Sequence, residues 1–108
     1  MKRVAFIFLG LFSVGGIAGG VESKVDFNRD IRPILSENCL YCHGQDGVKR
    51  EADLRLDQRA GALEGEAFVP GDPEASEMIY RILTDDENDL MPPPDSSRIL
   101  SDKEKELM

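Results

Sequence analysis

The chain has 108 residues, 13 basic and 21 acidic, and a formal charge of −8. Such acidity argues against nucleic acid, whose phosphates would repel it. It suits a soluble protein that meets a basic patch on another protein's surface.

The first twenty residues read as a secretory leader. Lys2 and Arg3 precede an apolar run from Val4 to Ile17, then small residues, with Ala18-x-Gly20 as the recognition site and cleavage before Val21. The run is too short and glycine-rich for a stable membrane span, although an uncleaved anchor is the alternative. Removing Lys2 and Arg3 leaves 11 basic against 21 acidic residues, or −10. The remaining residues, 21–108, are enough for one small domain in the periplasm or another extracytoplasmic space. Their aromatics are only Phe27, Tyr41, Phe68 and Tyr80, with no tryptophan, a thin core for that length.

Val21 to Asn28 is expected to be extended or loosely turned. A helix should follow, capped by Asp30, with Ile31, Ile34, Leu35 and Asn38 on one side and Pro33 tolerated in its first turn. That helix delivers the stretch Cys39-Leu40-Tyr41-Cys42-His43, which holds both cysteines and the one histidine of the chain. The spacing is that of covalent haem attachment. Two cysteines three positions apart reach the two vinyl groups on one edge of a porphyrin, and the next residue places its imidazole under the iron. A structural zinc site asks for four ligands, and no further Cys or His exists to supply them. An exchanging dithiol expects a strand–helix–strand context, which the flanks lack, and a plain disulfide would leave His43 without a role.

Gly44 to Gly47 reads as a turn. Ala52-Asp53-Leu54-Arg55-Leu56 alternates polar and apolar, so a short extended, strand-like piece is expected. Asp57 can cap a short helix through Leu63, ended at Gly65, and Val69-Pro70-Gly71 reads as a turn. The clearest helix comes next, with Asp72 as cap, Pro73 at its first position and Glu74 in its first turn. Its apolar stripe is Ala75, Met78, Ile79, Ile82 and Leu83, which makes Met78 a core residue. Thr84 to Asp89 is an acidic, solvated loop.

Leu90-Met91-Pro92-Pro93-Pro94 follows. Consecutive prolines favour an extended, polyproline-like backbone and exclude helix. Met91 is thus held in an irregular segment from which its thioether can reach a haem iron as distal ligand. Its other reading is a gap-filling core methionine. Met78 is the runner-up as ligand. Ser101 and Glu104 form a capping box that opens a last helix.

These residues carry a family resemblance. Phe27 to Leu35, Cys39 to Gly44, Ala52 to Asp57, Val69 to Pro73 with Glu77, and Met91 to Pro94 make the chain similar to the planctomycete-type cytochrome c domain, found near the N-terminus of large exported bacterial proteins. The resemblance implies a mostly α, small class I cytochrome c-like fold wrapped around one covalent haem. It also implies attachment through Cys39 and Cys42, with His43 as proximal and Met91 as distal iron ligand. Members continue into a longer C-terminal helix and further domains, so the last helix here is expected to be clipped.

The expected function is one-electron transfer outside the cytoplasm by a His/Met-ligated haem, with redox proteins as partners and no catalysis of its own. Arg55 and Arg59 are candidates to pair with the propionates, or else solvated surface charges. A five-coordinate haem that binds peroxide or a small gas is the first alternative, and a haem-free C-x-x-C redox module the second.

Overall fold

The computed structural model describes residues 24–108; the leader expected over residues 1–20 lies outside them. Among the described residues the fold is helical, without a strand. A π-helical turn (Phe27–Ile31) runs into α1 (Arg32–Asn38), and α2 (Arg59–Glu64) and α3 (Glu77–Leu83) follow. A 3-10 turn (Pro94–Ser96) then leads to α4 (Asp102–Leu107). The one β feature is an isolated bridge between Val69 and Asp72. This is the small, mostly α, cytochrome c-like architecture that the resemblance implied.

The first helical segment begins a turn earlier than expected. Asp26, not Asp30, is its cap: Asp26 Oδ1 accepts from the Arg29 amide at 2.8 Å. The Asp30 carboxylate reaches back to accept from the Asp26 amide, also at 2.8 Å. Starting at Asp26 engages both carboxylates with orphan N–H groups, whereas starting at Asp30 would engage one. Pro33, lacking an N–H, sits in the first turn of α1 just past the π-turn. Ile34 and Leu35 are buried, and Asn38 Nδ2 donates back to the Ile34 carbonyl at 3.0 Å.

Three other expectations shift for similar local reasons. Ala52 and Asp53 lie in the left-handed region, at φ 53° and 51°, so this stretch turns instead of extending. Among the described residues no neighbouring strand is present to reward an extended backbone. Asp57 does not cap α2, because Arg55 holds its carboxylate through two side-chain bonds. Gln58 precedes the helix without a side-chain bond, and Gly65 ends it as expected. Asp72 caps only a turn, accepting from the Ala75 amide at 3.1 Å. The helix itself starts at Glu77 after Ser76. The buried Ser76 hydroxyl donates to the Asp72 carbonyl at 2.7 Å and accepts from the Val69 amide at 2.9 Å. It therefore ties down the Val69–Asp72 turn, in which Gly71 takes φ 76°.

The late start of α3 leaves Ala75 outside the helix and exposed, and Leu83 at its far end is exposed as well, which narrows the stripe. The core is the cluster of Ile34, Ile82 and Leu100, with Ile79, Leu107 and Met108 packed against it. The Ser101–Glu104 capping box is present as expected, at 2.7 and 3.2 Å. It sets α4 so that its far end reaches the core shared with α1. No large side chain among the described residues is fully buried.

Candidate functional site

The Cys39–His43 stretch is a turn of its own directly after α1, whose C-terminal cap is Cys39. The Cys39 amide bonds the Leu35 carbonyl at 2.8 Å, and the His43 amide bonds the Cys39 carbonyl at 2.9 Å. The exit is fastened twice more: Glu51 N–H donates to the Cys42 carbonyl at 2.7 Å, and Leu56 N–H to the His43 carbonyl at 2.8 Å. Gly44 closes the motif where only glycine fits, since a Cβ there would sit 2.3 Å from the Leu40 carbonyl oxygen. Arg50 then stitches the loop, donating to the carbonyls of Gly44 and Gln45 at 2.9 and 3.2 Å and pairing with Asp53 at 3.0 Å.

These constraints place Cys39, Cys42 and His43 on the wall of one cavity of about 360 Å³, a size typical of ligand sites. Met91 lines the same cavity, brought there because its amide donates to the Arg81 carbonyl at the end of α3, at 2.9 Å. Pro93 keeps a polyproline-like φ of −57° and ψ of 141°, but the extended run stops there, because Pro94 opens the 3-10 turn. The Met91–Pro92 bond is cis. Leu54, Leu56, Ala67, Ile82 and Pro92 give the cavity apolar walls. Leu54 and Leu56 reach it from one side of the Ala52–Leu56 stretch, so the polar–apolar alternation still sorts the side chains although the backbone is not a strand.

Met78 also lines this cavity, and it borders a second groove that Phe27, Leu35 and Phe68 share. Its expected place in a core is therefore only half met: Met78 is half-buried between two concave surfaces. Arg55 and Arg59 line no part of the first cavity. Arg55 is occupied with Asp57, and Arg59 lies over the Phe68 ring at 5.7 Å. The arginines on the cavity are Arg81 and Arg98, which sequence reasoning missed. No local pattern announces them; Arg98 arrives only through the turn after the prolines, where Ser97 takes φ 63°.

The chemistry of the donors fits a covalently held haem. His43 Nδ1 is buried and has no hydrogen-bond partner among the described residues, so this ring nitrogen is not already committed within the chain. Burial pushes the imidazole pKa down, against the backbone and charge of Glu51, which favour the protonated form. Neutral imidazole is the form that binds metal. Both cysteines are free thiols, and burial, reinforced by Cys42, pushes Cys39 up to about 11. An exchanging C-x-x-C cysteine shows the opposite shift. Among the described residues no group of three or more His, Cys, Asp or Glu could hold a bare metal ion.

A small helical domain in which an apolar cavity gathers two thioether-spaced cysteines, a histidine and two methionines belongs to the haem-binding electron carriers of cytochrome c type. Residues 39–95 match the family described as Planctomycete cytochrome C, and the chain belongs to that family. No curated protein and no solved structure gives a significant match. Membership makes this a haem-binding electron-transfer domain with covalently bound haem c. No helix among the described residues is long and apolar enough to cross a membrane.

Proposed function

We propose that Cys39 and Cys42 hold a single haem by two thioethers, that His43 is its proximal ligand and Met91 its distal one, and that the domain carries electrons outside the cytoplasm. The observation that carries this reading is the convergence of all four side chains, from Cys39 to Met91, on one apolar cavity that Met78 also lines. When bound, haem c supplies reversible one-electron chemistry at its iron.

The chain's own residues do the rest. Leu35, Glu51 and Leu56 fix the Cys39–His43 turn through the backbone bonds above, so that both thiols and the imidazole are presented together. The Arg81 carbonyl anchors Met91 by its amide, which holds the thioether at fixed reach. With His43 and Met91 as ligands, the thioether would favour the ferrous state and raise the potential relative to two nitrogen ligands. Apolar walls act in the same direction by disfavouring the extra ferric charge.

The absorption spectrum of the matured protein tests the ligand set. Met91→Ala is expected to keep the haem but lose the weak methionine–iron band at the red end of the ferric spectrum and to bind cyanide readily. If that band survives the substitution unchanged, Met91 is not the ligand. If Met78→Ala removes it instead, the thioether from α3 takes its place.

A further inference from the structure

Two residues that line the cavity, Arg81 and Met91, are joined through the loop between them. Residues 84–90 leave the end of α3 and return to it. The Thr84 amide donates to the Tyr80 carbonyl at 2.9 Å, and the Met91 amide to the Arg81 carbonyl at 2.9 Å. Inside the loop the Asp86 carbonyl accepts from the amides of Asp89 and Leu90, at 3.0 and 2.9 Å. Composition reads this loop as acidic and solvated, and Asp85, Asp86 and Glu87 are indeed exposed. Asp89 is different. It is half-buried, its Oδ2 accepts from the Tyr80 hydroxyl at 2.9 Å, and its Oδ1 lies 3.9 Å from the Arg81 guanidinium. The same guanidinium donates to the Asp89 carbonyl at 3.4 Å and pairs with Glu77 at 3.0 Å. Among the described residues, the side chains of Asp85 and Glu87 make no such contact.

Each of these contacts is partly exposed and stabilises the fold little by itself. Their weight comes from where they act. Asp89 stands two residues before Met91, and two successive residues of α3 grip it, the second of which also holds the Met91 amide. Neither Asp89 nor Tyr80 lines the cavity, so both act through Met91. A thioether carried on a pinned loop stays within reach of its ligand position. On a free loop, every return would repeat the cost of ordering the segment.

We propose that Asp89 is a positioning residue: clasped by Tyr80 and Arg81, it sets how long the Met91 thioether stays at its ligand position and how rarely an outside ligand gains the sixth site. This rests on the haem reading above, and in particular on Met91 as distal ligand.

Cyanide binding to the ferric, matured protein tests the clasp, because at saturating cyanide the rate is limited by departure of the methionine. Asp89→Ala, which removes both contacts of the carboxylate, is expected to raise that limiting rate about ten-fold, and Tyr80→Phe, which removes one, about three-fold. Asp89→Asn keeps an acceptor for the tyrosine and should fall between Asp89→Ala and wild type. Hydrogen exchange of the Met91 amide, read from the backbone and not from the iron, should speed up in the same order. Two controls separate the clasp from charge and from general stability. Asp85→Ala removes an equal charge from the same loop, and Asp26→Ala removes the cap of the first helical segment. Both should leave the cyanide rate within about two-fold of wild type. Unchanged rates in the Asp89 and Tyr80 variants, or an equal rise in either control, would overturn the proposal. A methionine–iron band that survives Met91→Ala overturns the ligand reading itself, a different outcome seen before any clasp variant is made.

Discussion

Gly44 shows how tightly single residues define the site. Its missing Cβ is what lets the chain pass the Leu40 carbonyl directly after His43. The close atom belongs to the backbone, which cannot swing aside as a side chain would. Gly44→Ala is therefore expected to cost about 1–3 kcal/mol, read as a lower denaturation midpoint of the matured protein with an unchanged slope. At Asp30 the prediction concerns pH. The Arg29 guanidinium beside it, helped by the Asp26 amide, lowers its carboxyl from the ordinary 3.8 to about 2. A depressed folded pKa means that the contribution is present above pH 4 and disappears as pH falls through about 2. Titration of the Asp30 carboxyl by NMR should show a midpoint near 2; one near the ordinary value would mean that the Arg29–Asp30–Asp26 contacts do not persist in solution.

At the scale of elements, caps decide where helices begin, and the sequence offered more candidates than the fold uses. Asp30, Asp57 and Asp72 each look like a cap when read alone. Each is engaged elsewhere: Asp30 with Asp26 and Arg29, Asp57 with Arg55, Asp72 with the Ala75 turn. Asp26→Ala should destabilise the protein by about 1 kcal/mol, while Asp57→Ala should spare α2 and cost only its exposed pairing with Arg55. Paired denaturant titrations of the two variants check this. The Ser101–Glu104 box was readable because both of its halves lie within four residues. The Cys39–His43 turn was readable for the same reason. What joins Arg98 to Tyr41, or Met91 to Arg81, depends on turns whose backbone angles no local pattern specifies, such as that at Ser97.

The whole molecule is organised by its cavity more than by contact between helices. Its hydrophobic core is one small cluster, Ile34, Ile82 and Leu100 with three partners, and the apolar residues 54, 56, 67 and 92 face the cavity instead. With so little buried side chain among the described residues, a domain of this size is marginal unless a bound group completes it. Protein made in a host unable to attach haem is therefore expected to show weak helical circular dichroism and a broad, weakly cooperative thermal transition. Matured protein should melt sharply. A sharp, high-temperature transition in the haem-free form would show that the polypeptide supplies its own stability.

The central claim is that a haem is fastened at residues 39 and 42, and mass spectrometry of the proteolytic peptide spanning residues 39–43 tests it most directly. From protein purified out of a host competent in cytochrome c maturation, that peptide is expected to carry the mass of one haem, retained after extraction with acid and organic solvent. The same peptide recovered with two unmodified thiols, or with a disulfide between Cys39 and Cys42, would contradict the account.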